Sequence, residues 1–153
     1  MSQNIKIGVI NSGIANIASV VNMFKKIGYQ ALIINSKIEY TTEITHLIIP
    51  GVGSFDRGVK NLKQNIFDEI IYKHIELEKP ILGICLGMQL LGISSKEGKR
   101  EGLKIINGEC SKFELPKNFT VPHMGWNYVF PKENSILFRN ITNPKFYFVH
   151  SYY

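Results

Sequence analysis

The sequence predicts an α/β fold built on a mostly parallel sheet flanked by helices, and three features carry that prediction. Short apolar runs rich in β-branched residues alternate with segments whose apolar positions recur at helical spacing. The runs close in turns that carry glycine. The third feature is Gly83-Ile84-Cys85-Leu86-Gly87, where an apolar run passes through a cysteine directly into Met88-Gln89-Leu90-Leu91. At 153 residues the chain has the length for one core. No repeat, low-complexity tract or linker divides it, so residues 1–153 read as a single domain.

Ile5 to Ile10 is the first strand. Asn11-Ser12-Gly13 turns the chain into a helix in which Ile17, Val20, Val21, Phe24 and Ile27 recur at helical spacing until Gly28 ends it. Ala31 to Ile34 and Leu47 to Ile49 read as short buried strands, the second closed by Pro50-Gly51-Val52-Gly53. A second helix marks its apolar face with Ile66, Ile70, Ile71 and Leu77, and Lys79-Pro80 breaks it before the strand that delivers Cys85. Beyond Gly92 the pattern loosens into hairpin-like segments punctuated by Gly98, Gly102 and Gly108, with Leu103, Ile105 and Ile106 as their apolar side. Trp126, Tyr128 and Phe130 alternate as residues of a strand packed on one face do.

Composition narrows the function classes. Hydrophobic content of 44% with 20% charged residues is ordinary for a soluble globular chain. No apolar stretch is long enough to cross a bilayer. Met1-Ser2-Gln3-Asn4 lacks the basic and long apolar regions of a secretory signal, and with two cysteines this points to the reducing cytoplasm. The net charge of +6 is spread along the chain. Its densest cluster, Lys96, Lys99, Arg100 and Lys104, is interrupted by Glu97 and Glu101 and reads as a solvated loop, not a nucleic-acid patch. The cysteines and the four histidines lack the paired spacing of a zinc site, so neither a metal nor a cofactor is expected.

Cys85 stands in the context of a nucleophile elbow. In such a turn a strand ends, the chain bends into a helix, and small flanking residues such as Gly83 and Gly87 leave room for the strained nucleophile. The helix that follows points its unpaired N–H groups and positive dipole end toward the sulfur. The same donors can hold an oxyanion, with Leu86 supplying the first N–H and the Gly51-Val52-Gly53 turn, at the carboxyl end of a buried strand, the second. A buried structural thiol and a plain tight turn are the competing explanations. Cys110 lies in a strand-like segment without an elbow and reads as a core or half-exposed thiol.

Four segments together resemble the class I (triad) glutamine amidotransferases, in particular the glutaminase subunits of imidazole glycerol phosphate synthases. They are Pro50-Gly51-Val52-Gly53-Ser54-Phe55, Gly83-Ile84-Cys85-Leu86-Gly87-Met88-Gln89-Leu90-Leu91, Pro122-His123-Met124-Gly125-Trp126-Asn127 and Phe148-Val149-His150-Ser151-Tyr152. The resemblance implies a flavodoxin-like fold and hydrolysis of glutamine, with Cys85 attacking the side-chain amide to form a thioester. It implies backbone contacts from Gly51 and Gly53, a hold on the substrate's amino-acid end by Gln89, and enclosure by the Ser151-Tyr152 backbone. It also implies a heterodimer in which ammonia passes to a (β/α)₈-barrel cyclase.

The chain departs from that family in two places. Asn11-Ser12-Gly13-Ile14-Ala15-Asn16 stands where the family carries Asp-Tyr-Gly-x-Gly-Asn in a segment lying toward the partner, which leaves another synthase, such as one aminating surface sugars, as an alternative. None of His46, His74, His123 and His150 is followed by the family's Pro-Glu, so the fold is expected to lack its C-terminal part and the chain alone to be impaired. His74 is expected on a surface or half-buried, His46 and His150 as structural residues, and His123 as shaping the partner side. A peptidase or deglycase-like elbow enzyme is a second hypothesis, although Leu86 stands where that class commonly has histidine and Gln89 has no role in it. A non-catalytic relative is a third, against which Cys85, the elbow glycines and the oxyanion loop are retained together.

Overall fold

The computed structural model describes residues 5–153, so the Met1-Ser2-Gln3-Asn4 stretch read above for a targeting signal lies outside the described residues. The chain forms two compact units, one ending at Cys110 and the other comprising Ser111–Tyr153. No helix among the described residues is long and apolar enough to cross a membrane.

The first unit is an α/β layer. Strands β1 (Ile7–Ile10), β2 (Ala31–Ile34), β3 (His46–Gly51) and β4 (Ile81–Cys85) form a parallel sheet in the order β2-β1-β3-β4. This is the opening order of a flavodoxin-like doubly wound sheet, the fold that the resemblance implies. Because side chains alternate along a strand, the sheet fills two cores. Ile7, Val9 and Ile48 meet helix α1 (Ile17–Lys26) through Ile17, Val20, Val21 and Phe24. Ile10, Ile34, Leu47 and Ile49 face the other way, onto Phe55, Val59, Leu62, Phe67, Ile70 and Ile71. Fully burying each such side chain contributes about 1.5–3 kcal/mol.

Helix α1 has the ends its sequence dictates. Asn16 accepts from the Ser19 N–H at 3.2 Å, and Gly28 takes φ +88° so that its own N–H reaches the Lys25 carbonyl while Tyr29 N–H reaches Phe24.

Several expectations need correction. Ala31–Ile34 is not wholly buried: Leu32 and Ile33 are exposed on β2, the outer strand of the sheet, which is paired on one side only, with β1. The second helix is two helices, α2 (Phe55–Gln64) and α3 (Phe67–Glu76), separated at Ile66, which adopts a left-handed φ of 59°. That break turns the apolar face by one residue. Phe67, Ile70, Ile71 and His74 are buried, whereas Ile66 and Leu77 are exposed. The region from Gly92 to Cys110 holds one short parallel pair, β5 (Ser94–Ser95) with β6 (Glu109–Cys110), and is hairpin-like only at the antiparallel bridge between Ser94 and Glu101. Leu103, Ile105 and Ile106 instead donate their N–H groups to the Leu90 and Leu91 carbonyls at the end of helix α4 (Leu86–Leu90), which satisfies carbonyls a helix end leaves orphaned.

His74 is fully buried, contrary to the surface or half-buried position expected. The amphipathic pattern hid this because a histidine on an apolar face needs a partner, and that partner comes from a distant segment: Tyr40 Oη lies 3.1 Å from Nδ1. Burial pushes the imidazole pKa below its usual 6.5, the Pro80 carbonyl opposes that without completing a hydrogen bond, and Lys79 and His46 reinforce it.

The second unit is a two-stranded antiparallel ribbon, β7 (His123–Tyr128) with β8 (Lys145–His150), plus a bridge between Lys112 and Tyr152. The alternating aromatics do not pack into a core as expected: Trp126, Tyr128 and Phe130 are 63%, 58% and 92% exposed. A lone ribbon offers them only cross-strand neighbours, so Trp126 meets Tyr147 edge-on at 5.8 Å and Lys145 Nζ sits 5.3 Å from the Tyr128 ring centre.

The buried His74 generates a pH prediction. A histidine whose folded pKa lies below its unfolded value takes up a proton on unfolding, so its site is fully stable above pH 6.5 and loses stability as pH falls toward the folded value. Melting curves between about pH 7.5 and 5.5 are expected to show a steeper loss for the parent than for His74→Leu. Equal slopes would remove His74 as the cause.

Candidate active site

Register in the sheet sets Gly51 beside Cys85. Parallel pairing of β3 with β4 runs from Leu47 opposite Ile81 to Gly51 opposite Cys85. The Pro50-Gly51-Val52-Gly53 turn and the elbow therefore leave the sheet side by side at its carboxyl edge, where α/β sheets carry their sites. Cys85 has φ 54° and ψ −118°, a conformation strained for any residue with a Cβ, and it precedes α4 directly. Its thiol is free and the residue is exposed, not sunk in the aliphatic core.

The glycines around the elbow are required by space. A Cβ on Gly83 would stand 2.5 Å from Met88 Cα, and one on Gly51 would stand 2.9 Å from Gly87 N and 3.1 Å from Leu86 Cβ. At Gly87 a Cβ would collide with the carbonyl oxygen of Ile49. Strand β3 and the first turn of α4 thus touch backbone to backbone. Leu86 and Leu90 anchor that turn in the core, while Met88 stays exposed. Because α4 has five residues, it presents the unpaired N–H groups of one turn to the elbow, a smaller contribution than a long helix dipole.

One N–H of the turn expected to supply the second oxyanion donor is engaged elsewhere. Val52 N–H donates to the Ile14 carbonyl at 2.7 Å, which ties the turn to the segment after β1. Gln89 is half-buried, and its Oε1 is buried without a hydrogen-bond partner among the described residues. An amide oxygen in that condition is poised to accept from a ligand. Ser151 and Tyr152 belong to the second unit, where Phe113 N–H donates to the Ser151 carbonyl at 3.0 Å. Cys110 is buried, as expected of a core thiol, and burial pushes its pKa up.

Sequence reasoning missed a carboxylate clasp beside the turn. Ser54, the N-cap of α2, makes no side-chain cap, and Glu97 Oε2 instead accepts from Phe55 N–H at 3.0 Å across 42 positions. In return Asp56 Oδ1 accepts from both Lys99 N–H and Arg100 N–H at 2.9 Å. Gly98 lies so close to that carboxylate that a side chain there would strike it. An acidic residue in the first turn of a helix was the one local signal, and it does not reveal a partner so far along the chain.

The model of the class-I glutamine amidotransferase family matches residues 8–153. The chain is 50% identical over 149 residues to a protein of Methanococcus maripaludis named imidazole glycerol phosphate synthase subunit HisH 2, covering 96% of this chain and 73% of that one. It is 42% identical over 147 residues to the subunit of the same name from Pseudomonas aeruginosa, covering 95% and 72%. A crystal structure of a glutamine amidotransferase superposes with a TM-score of 0.61 at 16% identity, over 80% of this chain and 62% of that one, and so matches in fold.

Two substitutions test this geometry. Gly87→Ala is expected to cost more than about 3 kcal/mol, because both sides of the collision are backbone; a denaturant midpoint near the parent's would contradict the contact. Asp56→Ala is expected to cost about 1–3 kcal/mol and to speed hydrogen exchange at the Lys99 and Arg100 amides, with unchanged exchange arguing against the clasp.

Proposed function

Because the chain belongs to the class-I glutamine amidotransferase family, we propose that it is a glutaminase subunit of imidazole glycerol phosphate synthase, hydrolysing glutamine for histidine biosynthesis. The observation that carries this reading is the register that sets Gly51 beside a strained, exposed Cys85. A cysteine so placed attacks the side-chain amide carbon of glutamine, the thiol proton passes to the amide nitrogen, and the C–N bond breaks, so that ammonia leaves as a thioester forms. Water then releases glutamate.

The roles follow from the chemistry each group offers. Leu86 N–H is the first oxyanion donor and the Gly51-Val52-Gly53 turn supplies the second. Val52 N–H rests on the Ile14 carbonyl, so it can serve only once that bond opens. Gln89, with an unpartnered acceptor, takes the α-ammonium of the substrate. Ser151 and Tyr152 are the further residues that the resemblance gives to the amino-acid end.

Ammonia in neutral water is mostly protonated, and ammonium is no nucleophile, so the product needs a sealed path to its acceptor. A (β/α)₈-barrel cyclase bound as the other half of a heterodimer, in the cytoplasm, fits that need. The family match runs unbroken through both compact units, which supports reading residues 1–153 as one amidotransferase domain. None of the four histidines carries the His-Pro-Glu sequence, so the 153 residues assayed by themselves turn over slowly: proton delivery to departing ammonia needs a positioned acid.

A diazo-ketone analogue of glutamine is expected to label Cys85 alone, read by mass spectrometry. Cys85→Ala should abolish that label and lower glutamine-dependent synthesis with the cyclase by ~10³-fold or more, leaving ammonia-dependent synthesis intact. Absence of the label, or loss of both syntheses, would overturn the assignment.

A further inference from the structure

We propose that Asp56 is a positioning residue for the reaction at Cys85: its carboxylate moors the Lys99-Arg100 backbone to the start of α2 and so fixes where the Gly51-Val52-Gly53 turn holds its N–H groups. This rests on the reading of that turn as the second oxyanion donor given above.

The turn is held firmly where it leaves β3 and loosely beyond. Gly51 is buried against Leu86 and Gly87, in register with Cys85. Val52, Gly53 and Ser54 are all exposed, and a Cβ on Gly53 would meet nothing within 4 Å. Gly53 has φ +105°, so neither packing nor a side chain of its own restrains this part of the turn. Ser54 adds no capping bond. The tie of Val52 to Ile14 apart, the course of the turn follows from where the next anchored residue stands. That residue is Phe55, fully buried, whose N–H is an orphan donor of the helix start and is taken by Glu97.

Glu97 is itself exposed, so its carboxylate stays on Phe55 only while its loop keeps its place. One side of the loop is tied to the β5–β6 pair. Lys96 N–H donates to the Cys110 carbonyl at 2.8 Å, and buried Ser95 accepts from Glu97 N–H through Oγ at 3.2 Å and from Gly98 N–H through its carbonyl at 3.1 Å. The other side is tied by Asp56, through charge-assisted bonds from the Lys99 and Arg100 amides, with Gly98 pressed against the carboxylate. Because Asp56 directly follows Phe55, the outgoing and returning ties close a ring through Phe55, Glu97, Gly98, Lys99 and Asp56. Removing the Asp56 carboxylate opens that ring and leaves Cys85, the elbow glycines and Gln89 as they are. An oxyanion donor has to stand about 2.7–3.1 Å from the developing charge, so a turn free to swing loses transition-state stabilisation before it loses ground-state binding.

The test is alkylation of the full chain by the chloro-ketone analogue of glutamine, in which the Cys85 sulfur bonds to the chloromethyl carbon, chloride leaves and the thiol proton passes to solvent. No acid on the protein is needed, and the ketone oxygen takes the place of the amide oxygen. Asp56→Ala is expected to lower the limiting rate about tenfold, with the half-saturation concentration and the rate of Cys85 with iodoacetamide within about twofold of the parent's. Asp56→Asn, whose Oδ1 still accepts, should bring the limiting rate back to within about threefold. Hydrogen exchange at the Phe55 amide should quicken in Asp56→Ala and not in Asp56→Asn. An unchanged limiting rate in Asp56→Ala would overturn the proposal, as would an equal loss with iodoacetamide or a failure of Asp56→Asn to rescue. If the parent is not alkylated at Cys85, the glutaminase reading falls with it, and the mooring of the helix start is judged on exchange at Phe55, where an unchanged rate in Asp56→Ala overturns it.

Discussion

The close approach of two backbones, the Ile49 carbonyl against Gly87 and Gly51 against Gly87 N, is the constraint on which the first unit's chemistry depends. It is possible only because these positions lack a Cβ, and it sets the elbow against the turn that follows β3. Once Gly51 and Cys85 are register partners, the direction in which the chain leaves both strands is decided. The strained backbone of Cys85 is sustained by what lies on either side of it: a paired strand before, and Leu86 and Leu90 sealed into the core after.

Around this contact the chain uses long-range polar ties where local ones are missing. Ser54 fails to cap α2, and Glu97 caps it from the loop that Asp56 grips in return. The exchange gives the helix start and the loop a common geometry, because neither carboxylate can leave without exposing backbone donors. Ile14 holds Val52 in the same manner. The turn beside Cys85 is thus fixed from two directions.

The second unit solves a related problem with fewer resources. A two-stranded ribbon cannot bury its aromatic residues, and Trp126, Tyr128 and Phe130 stay in solvent. What orders its end is polar: Asn127, His123 and His150 in series, terminating on a carbonyl that no strand partner takes.

Periodicity and punctuation in the sequence determined the α/β class, the strands that hold Gly51 and Cys85, the stop at Gly28 and the elbow with its glycines, because each of these is written in adjacent residues. Tertiary structure alone decided the rest. The break at Ile66 that turns His74 into the core, the pairing of Glu97 with Phe55, the grip of Ile14 on Val52 and the meeting of His123 with His150 all join residues distant in the chain. A hydrogen bond has no signature in sequence until both of its partners are placed, so what each group in this site donates or accepts is a property of the folded chain.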